Sequence, residues 1–142
     1  MSTLTIATLP RMQREELSEL VLSATETANF AIVDVRDSVD HIGGHIFSSI
    51  WAPSASLDAR LPELIRTLSD KKKVIFHCAL SQQRGPSAAL RYARQRAALL
   101  APEQIQEQQI YVLEGGFMSW QELYGTNPKL TEAYIADIWK NY

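Results

Sequence analysis

The fold is decided by the stretch Val74-Ile75-Phe76-His77-Cys78-Ala79-Leu80-Ser81-Gln82-Gln83-Arg84-Gly85-Pro86. Its apolar beginning predicts a buried strand that ends at Cys78, the chain's only cysteine, and Arg84 opens a predicted helix. Five uncharged residues lie between these two side chains. A short loop before a helix can direct several backbone N–H groups toward one point, where the positive end of the helix also attracts an anion. The stretch therefore predicts a loop that binds a tetrahedral oxyanion.

Cys78 and Arg84 are the candidate catalytic residues of this loop. The field that attracts an anion also favours the thiolate of Cys78, which is the nucleophilic form of the side chain. The planar guanidinium of Arg84 matches two oxygens of a phosphate-like group, and it can stabilise charge in a transition state better than a lysine. The candidate substrate-binding residues lie between them, at Ala79, Leu80, Ser81, Gln82 and Gln83.

Composition limits the class of protein. The 142 residues fit one domain, and 14 Lys and Arg scattered among 16 Asp and Glu give a net charge of −2. This balance predicts neither a nucleic-acid partner nor a membrane surface, and the beginning of the chain lacks a signal-peptide pattern, so we expect an intracellular protein. A single cysteine excludes an internal disulfide, and the three histidines have no metal-ligand spacing, so no metal is expected.

Strands and helices alternate along the chain, which predicts an α/β fold with a central parallel sheet. Apolar runs predict strands at 30–35, 74–78 and 110–113, with an edge strand at 4–7. Apolar residues at three- and four-residue spacing predict helices at 11–23, 57–68, 84–100, ended by Pro102, and 117–124. The tail, 130–142, is predicted to form one more helix that packs on its own domain, with docking of a partner as the alternative.

Asp34 and Arg36 follow the predicted strand 30–35 and therefore lie at the carboxyl edge of the sheet, where open α/β folds place their ligands. Asp34 could act as a general acid or organise the loop, and the alternative is an ion pair with Arg36 that holds neighbouring loops together. Gly43-Gly44 predicts a tight turn into extended structure. His41 and His45 are interpreted as structural.

Three ordered motifs in this chain resemble a known family. The run His77-Cys78 with Arg84-Gly85-Pro86 resembles the active loop of rhodanese-fold phosphatases of the Cdc25 type and of the related eukaryotic arsenate reductases. The stretches 33–36 with 43–46, and 112–120, resemble the two rhodanese signatures that flank that loop. The resemblance implies one rhodanese-like catalytic domain over residues 1–142, of the small fungal type, with helices on both faces of the sheet. It also implies supporting roles for His77, Asp34 and Arg36.

Loop length separates the chemistries within this family. Sulfurtransferases that resemble rhodanese carry a loop one residue shorter, so the five-residue spacing favours phosphate or arsenate over sulfur transfer. The resemblance implies a phosphatase that forms a phosphocysteine at Cys78 and hydrolyses phosphotyrosine-like or aryl phosphate esters. Cdc25-type loops have a glutamate directly after the cysteine, where this chain has Ala79. The loop contains no carboxylate, so we expect modest activity that is biased toward aryl phosphates.

Two other functions stay open at this point. An arsenate reductase would use the same loop, and a chain with one cysteine would then need an external thiol such as glutathione. A rhodanese-type sulfurtransferase or a non-catalytic binding module is the second alternative, although such a module has no need of both Cys78 and Arg84. We expect a phosphorylated protein or a small oxyanion as the partner, no cofactor for a phosphatase, and a cytoplasmic location with the nucleus as a second compartment.

Overall fold

A computed structural model describes residues 5–23, 25–100 and 107–140 of the chain. Its main sheet has five strands, all parallel, in the spatial order β1-β6-β5-β2-β4. The strands of this sheet are β1 (Arg11–Met12), β2 (Phe30–Asp34), β4 (Ile50–Trp51), β5 (Lys73–His77) and β6 (Gln109–Leu113). The central strand β5 is buried from Val74 to His77, as its apolar run predicts.

Helices cover both faces of this sheet, which confirms the predicted α/β architecture. One face packs on α3 (Leu57–Thr67) and α4 (Arg84–Leu99), and the other packs on α1 (Arg14–Leu22) and α5 (Gly116–Tyr124). In α3 the apolar residues at helical spacing are the buried ones, namely Leu57, Leu61, Leu64 and Ile65. The end of the 84–100 helix agrees with α4 to one residue, and Pro102 lies outside the described residues.

The beginning of the chain differs from the prediction. Residues 5–9 form turns rather than an edge strand, and Leu4 lies outside the described part of the chain. The helix predicted from residue 11 starts at Arg14, because Arg11 and Met12 pair with Val112 and Leu113 and form the edge strand themselves. A strand of two residues is too short to show the alternation of buried and exposed residues that is typical of strands. The sequence pattern of the following helix is therefore extended over these two residues.

The predicted C-terminal helix is mostly wrong. Within 130–140 the chain first forms β7 (Thr131–Glu132), which pairs antiparallel with β3 (His45–Ile46), and only then a short helix, α6 (Ala136–Trp139). Trp139 is buried, and its indole N–H donates to the carbonyl of Gly43. The tail therefore packs on its own fold, as expected, but it does so through a strand as well as a short helix.

The carboxyl ends of β2 and β5 lie side by side, because Asp34 is in register with His77. The chain continues from these ends into the loop 78–83 and into α2 (Ser38–His41). Polar side chains that follow the two strands are therefore brought together at one edge of the sheet, where ligands bind in open α/β folds.

Candidate active site

The loop 78–83 curls around the sulfur of Cys78. The backbone N–H groups of Ser81 and Gly85 donate to Cys78 Sγ at 3.2 Å and 3.3 Å. Ser81 has a left-handed backbone, with φ of 57°. This conformation turns the chain back toward the sulfur. Two N–H donors thus point at the sulfur, and Cys78 is almost entirely enclosed, with 3% of the residue exposed.

Three carbonyl groups of the loop are held on its outer side. The carbonyl of Cys78 accepts from the N–H of Phe117 at 3.0 Å, and that of Ala79 accepts from the N–H of Met118 at 2.9 Å. The third, that of Ser81, accepts from the guanidinium of a residue distant in sequence, Arg11, at 2.9 Å. The described residues contain no cis peptide bond, so each of these peptide groups directs its N–H opposite to its carbonyl. The N–H groups of residues 79, 80 and 82 therefore point to the inner side.

Close packing of two glycines makes these contacts possible. A Cβ atom on Gly116 would lie 2.5 Å from the carbonyl oxygens of Cys78 and Ala79, and Gly116 has a φ of 60°. A Cβ atom on Gly85 would lie 3.2 Å from the backbone nitrogen of Cys78. The starts of α4 and α5 thus approach the loop as closely as a backbone without side chains allows.

A cavity of about 150 Å³ opens above this loop. Its lining residues are Cys78, Ala79, Leu80, Gln82, Gln83 and Arg84. The structure thus brings together both predicted catalytic residues and four of the five predicted substrate-binding residues. Ser81 is the exception, because its side chain is fully buried and its hydroxyl lies 3.4 Å from the N–H of Cys78. Ser81 shapes the loop from behind and does not line the cavity.

Arg84 stands at the rim of the cavity with a third of its side chain exposed. Its guanidinium lies 3.6 Å from the carboxylate of Asp37, which is more than half exposed. No sequence pattern singles out Asp37, because an acidic residue in a surface loop has no distinctive spacing. The ion pair places a carboxylate beside a loop that contains none.

Asp34 and Arg36 form a fully buried ion pair beneath the loop. The Arg36 guanidinium donates to the Asp34 carboxylate at 2.7 Å and to the carbonyl of Gly44 at 2.8 Å, and it lies 4.3 Å above the ring of Phe117. Burial alone would raise the pKa of the Asp34 carboxyl, but the neighbouring His77 and Arg36 lower it. The pair ties β2 to the turn at Gly44, and neither of its residues lines the cavity.

His77 connects this buried pair to the loop. Its ring is fully enclosed, and Nδ1 lies 3.1 Å from the carbonyl oxygen of Cys78. Burial lowers the pKa of His77, so the ring is neutral at neutral pH and can donate one N–H to that carbonyl. Nε2 lies 3.8 Å from the carboxylate of Asp34. His77 thus adds a second donor to a carbonyl that α5 already holds.

The remaining histidines, His41 and His45, form a stack with Trp51. His41 stacks on Trp51, with ring centroids 4.3 Å apart, and on His45 at 5.2 Å.

Across residues 5–23, 25–100 and 107–140, no group of three His, Cys, Asp or Glu side chains is arranged to hold a metal ion. In the same ranges, no helix has the length and apolar character that a membrane crossing requires.

Sequence reasoning missed three contributors to the site: Arg11, Asp37 and the N–H groups at the start of α5. Arg11 and Ser81 are 70 positions apart, so no local pattern connects them. Gly116 did carry a signal, because the glycine pair at 115–116 belongs to the second flanking motif. Its steric contact with the loop was visible only in three dimensions.

Comparisons with known proteins agree with this architecture. A sequence model of the rhodanese-like domain matches residues 15–123. The CDC25-like phosphatase YCH1 of Saccharomyces cerevisiae is 38% identical over 122 residues, which cover 78% of each chain. Arsenate reductase 2.1 of Oryza sativa subsp. japonica is 40% identical over 104 residues, which cover 73% of this chain but 64% of the rice protein.

Two solved structures are similar over most of the chain. Ygr203w, described as a yeast protein tyrosine phosphatase of the rhodanese family, has a TM-score of 0.81 at 34% identity and covers 97% of this chain and 100% of its own. The As-Sb reductase of Leishmania major has a TM-score of 0.72 at 31% identity and covers 87% of this chain and 85% of its own. Phosphatases and arsenate reductases are therefore both represented among the similar proteins.

Proposed function

This chain belongs to the rhodanese-like domain family, and within that family we propose that it is a cysteine-dependent phosphatase for aryl phosphate monoesters, including phosphotyrosine-like groups. One observation carries the proposal. The loop 78–83 has three carbonyls fixed on its outer side, so that its N–H groups converge on the cavity above Cys78 Sγ. That arrangement fits a tetrahedral oxyanion with a negative charge.

Cys78 is the proposed nucleophile. Its sulfur, with donors from Ser81 and Gly85, would attack phosphorus in line with the leaving oxygen. The S–P bond forms as the P–O bond to the leaving group breaks. A water molecule then attacks the phosphocysteine, which releases phosphate and returns the thiolate.

The loop amides and Arg84 would hold the equatorial oxygens of the transferring group. The amides of residues 79, 80 and 82 supply donors that are fixed before the substrate arrives, and Arg84 supplies a planar fork with a full charge. The ion pair with Asp37 steadies that fork but also neutralises part of its charge. The Arg84 guanidinium therefore has to turn from the Asp37 carboxylate, 3.6 Å away, to the substrate.

The leaving group determines which esters are hydrolysed. No side chain of the loop is a carboxylate that could protonate the departing oxygen, and Ala79 stands directly after the nucleophile. An aryl oxygen leaves with less need of protonation than an alkyl oxygen, because phenols are far stronger acids than alcohols. We therefore propose aryl phosphates as the preferred class, with a phosphorylated protein as one source.

The test is hydrolysis of p-nitrophenyl phosphate by the purified protein under reducing conditions. Cys78→Ser is the matched control, since it changes one atom of the chain. We expect turnover that vanadate inhibits and that this substitution abolishes. A folded protein without turnover, or turnover that survives Cys78→Ser, would contradict the proposal.

Arsenate reduction is the second candidate, since two of the similar proteins are named as an arsenate reductase and an As-Sb reductase. Arsenate has the charge and shape of phosphate, so the same N–H groups and Arg84 could bind it. Cys78 would displace water from arsenate, and an external thiol such as glutathione would attack the sulfur and release arsenite, leaving a disulfide that a second thiol reduces. Glutathione-dependent arsenite formation, lost in Cys78→Ser, would establish this activity.

The proposal also includes the setting of the reaction. We place residues 1–142 in one catalytic domain that acts in a reducing compartment, the cytoplasm or the nucleus. A single thiolate nucleophile stays active only where it is kept reduced. Fractionation of the cells that make the protein would test that location.

A further inference from the structure

The loop carbonyls are not all held in the same way. Helix α5 holds those of Cys78 and Ala79 with backbone N–H groups, whereas a side chain, that of Arg11, holds the carbonyl of Ser81 at 2.9 Å. Arg11 lies on the edge strand β1, and its guanidinium is 3.5 Å from the carboxylate of Glu114. About a third of the Arg11 side chain is exposed. This anchor can therefore be removed by substitution without altering the backbone.

Ser81 is the residue at which the loop reverses direction. Its left-handed backbone, with φ of 57°, costs roughly 1 kcal/mol for a residue with a side chain, so neighbouring contacts must maintain it. Its N–H donates to Cys78 Sγ and its carbonyl faces Arg11. The same peptide plane carries the N–H of Gln82, which consequently points away from Arg11 and toward the cavity.

We propose that Arg11 is a positioning residue for oxyanion binding: by holding the Ser81 carbonyl, it directs the N–H of Gln82 at an oxygen of the bound anion. This inference rests on the oxyanion site of the proposed function and gives the edge strand β1 a part in it. Arg11 does not touch the anion. Its effect passes through one peptide group, and Glu114 holds the guanidinium in place.

The experiment measures anion binding without turnover. Cys78 is the chain's only cysteine, so its alkylation by iodoacetamide reports on this site alone, and inorganic phosphate should protect it. The half-protecting phosphate concentration is compared for the native chain, Arg11→Met, Arg11→Lys and Glu114→Gln. Arg60→Met is the matched control, because Arg60 donates at 2.8 Å to the carbonyl of Trp51 on the edge strand at the other side of the sheet.

We expect Arg11→Met to raise the half-protecting concentration about tenfold, the size expected for one misdirected hydrogen bond to a charged oxygen. Arg11→Lys should recover most of the binding, since an ammonium can still donate to the Ser81 carbonyl. Arg60→Met should bind phosphate as the native chain does. The loss in Arg11→Met should persist in 1 M NaCl, where the screening length is about 3 Å, because a misdirected N–H is not restored by salt.

The direction in which Glu114→Gln changes phosphate affinity is a second test, and it does not depend on the folding of Arg11→Met. If Arg11 acted only through its charge, removing the negative charge of Glu114 would tighten phosphate binding. A positioning role predicts weaker binding, because the guanidinium loses the partner that holds it. Tighter binding in Glu114→Gln, native binding in Arg11→Met, an equal loss in Arg60→Met, or a loss that disappears in 1 M NaCl would each overturn the inference.

Hydrolysis of p-nitrophenyl phosphate, measured on the same samples, separates this inference from the proposed function. Phosphate protection that follows the expected order in a protein without turnover would leave the role of Arg11 intact and refute the phosphatase. Turnover in the native chain, together with native phosphate binding in Arg11→Met, would support the phosphatase and refute the role of Arg11. If phosphate protects no sample, the inference about Arg11 falls, and the hydrolysis assay alone decides the proposed function.

Discussion

Replacing Gly116 with alanine tests whether helix α5 shapes the loop around Cys78. The new Cβ would lie 2.5 Å from two carbonyl oxygens of that loop, those of Cys78 and Ala79. Ordinary contact begins near 3.4 Å, and both obstacles are backbone atoms, so either the loop or the start of α5 has to move. Movement in either direction separates the carbonyls from the N–H groups of Phe117 and Met118, which now donate to them at 3.0 Å and 2.9 Å.

The magnitude follows from these contacts. Alanine at a φ of 60° costs roughly 1–2 kcal/mol relative to glycine. The two hydrogen bonds contribute about 1 kcal/mol each. We therefore expect Gly116→Ala to lower the free energy of unfolding by about 3–4 kcal/mol. Because the N–H groups of residues 79 and 80 turn with those carbonyls, kcat should fall by about 100-fold, as when an oxyanion donor is removed.

The assay combines urea denaturation with p-nitrophenyl phosphate kinetics at a temperature where every variant is folded. Gly43→Ala is the control, since Gly43 also has a left-handed φ, 107°, but its Cβ would meet only the side chains of Trp139 and Ile138. It should lose stability and keep its kcat per folded molecule. A folded Gly116→Ala protein with native kcat would refute the reasoning that α5 sets the direction of the loop amides.

Other substitutions and pH test the rest of the site. Arg84→Lys should keep the thermal midpoint but lower kcat on p-nitrophenyl phosphate about 100-fold, because a point charge replaces the planar fork; unchanged turnover would contradict the role of Arg84. Asp34→Asn leaves the charge of Arg36 buried without its partner and should lower the free energy of unfolding by about 3–5 kcal/mol, measured in urea. Burial lowers the pKa of His77 below its usual 6.5, so the unfolded chain takes up a proton that the folded chain excludes, and stability should fall as pH drops below 6.5, by up to about 1.4 kcal/mol per pH unit. Urea midpoints between pH 7.5 and 5 that do not change, or a decline that His77→Asn leaves unaltered, would refute this.

Much of the architecture was predictable because long strands and helices produce apolar runs and helical spacing that are easily recognised in the sequence. Strand β5 and helix α3 are examples, since each buries one continuous run or one stripe of residues. The two-residue strands at Arg11–Met12 and Thr131–Glu132 leave no such record. Their positions depend on partners in β6 and β3, which a local pattern cannot name.

The site shows the same division. The spacing of Cys78 and Arg84 predicts that both line one cavity, and they do. The contact of Arg11 with Ser81 and that of Asp37 with Arg84 depend on how separate segments meet, so nothing near them in the sequence points to these pairs. For Ser81 the prediction followed from its place in the loop. The structure adds that its side chain is fully buried and is not part of the cavity lining.

The way in which the loop carbonyls are fixed has a consequence for the diversification of this enzyme. The donors that hold the loop carbonyls come from α5 and Arg11. The direction of the N–H groups of residues 79, 80 and 82 therefore does not depend on which side chains occupy positions 80, 82 and 83. Leu80 is half exposed and the two glutamines face the cavity. Selectivity can therefore evolve at these three positions while the anion-binding framework stays constant. A library randomised there should yield a large fraction of variants that still bind phosphate and that differ in the esters they prefer.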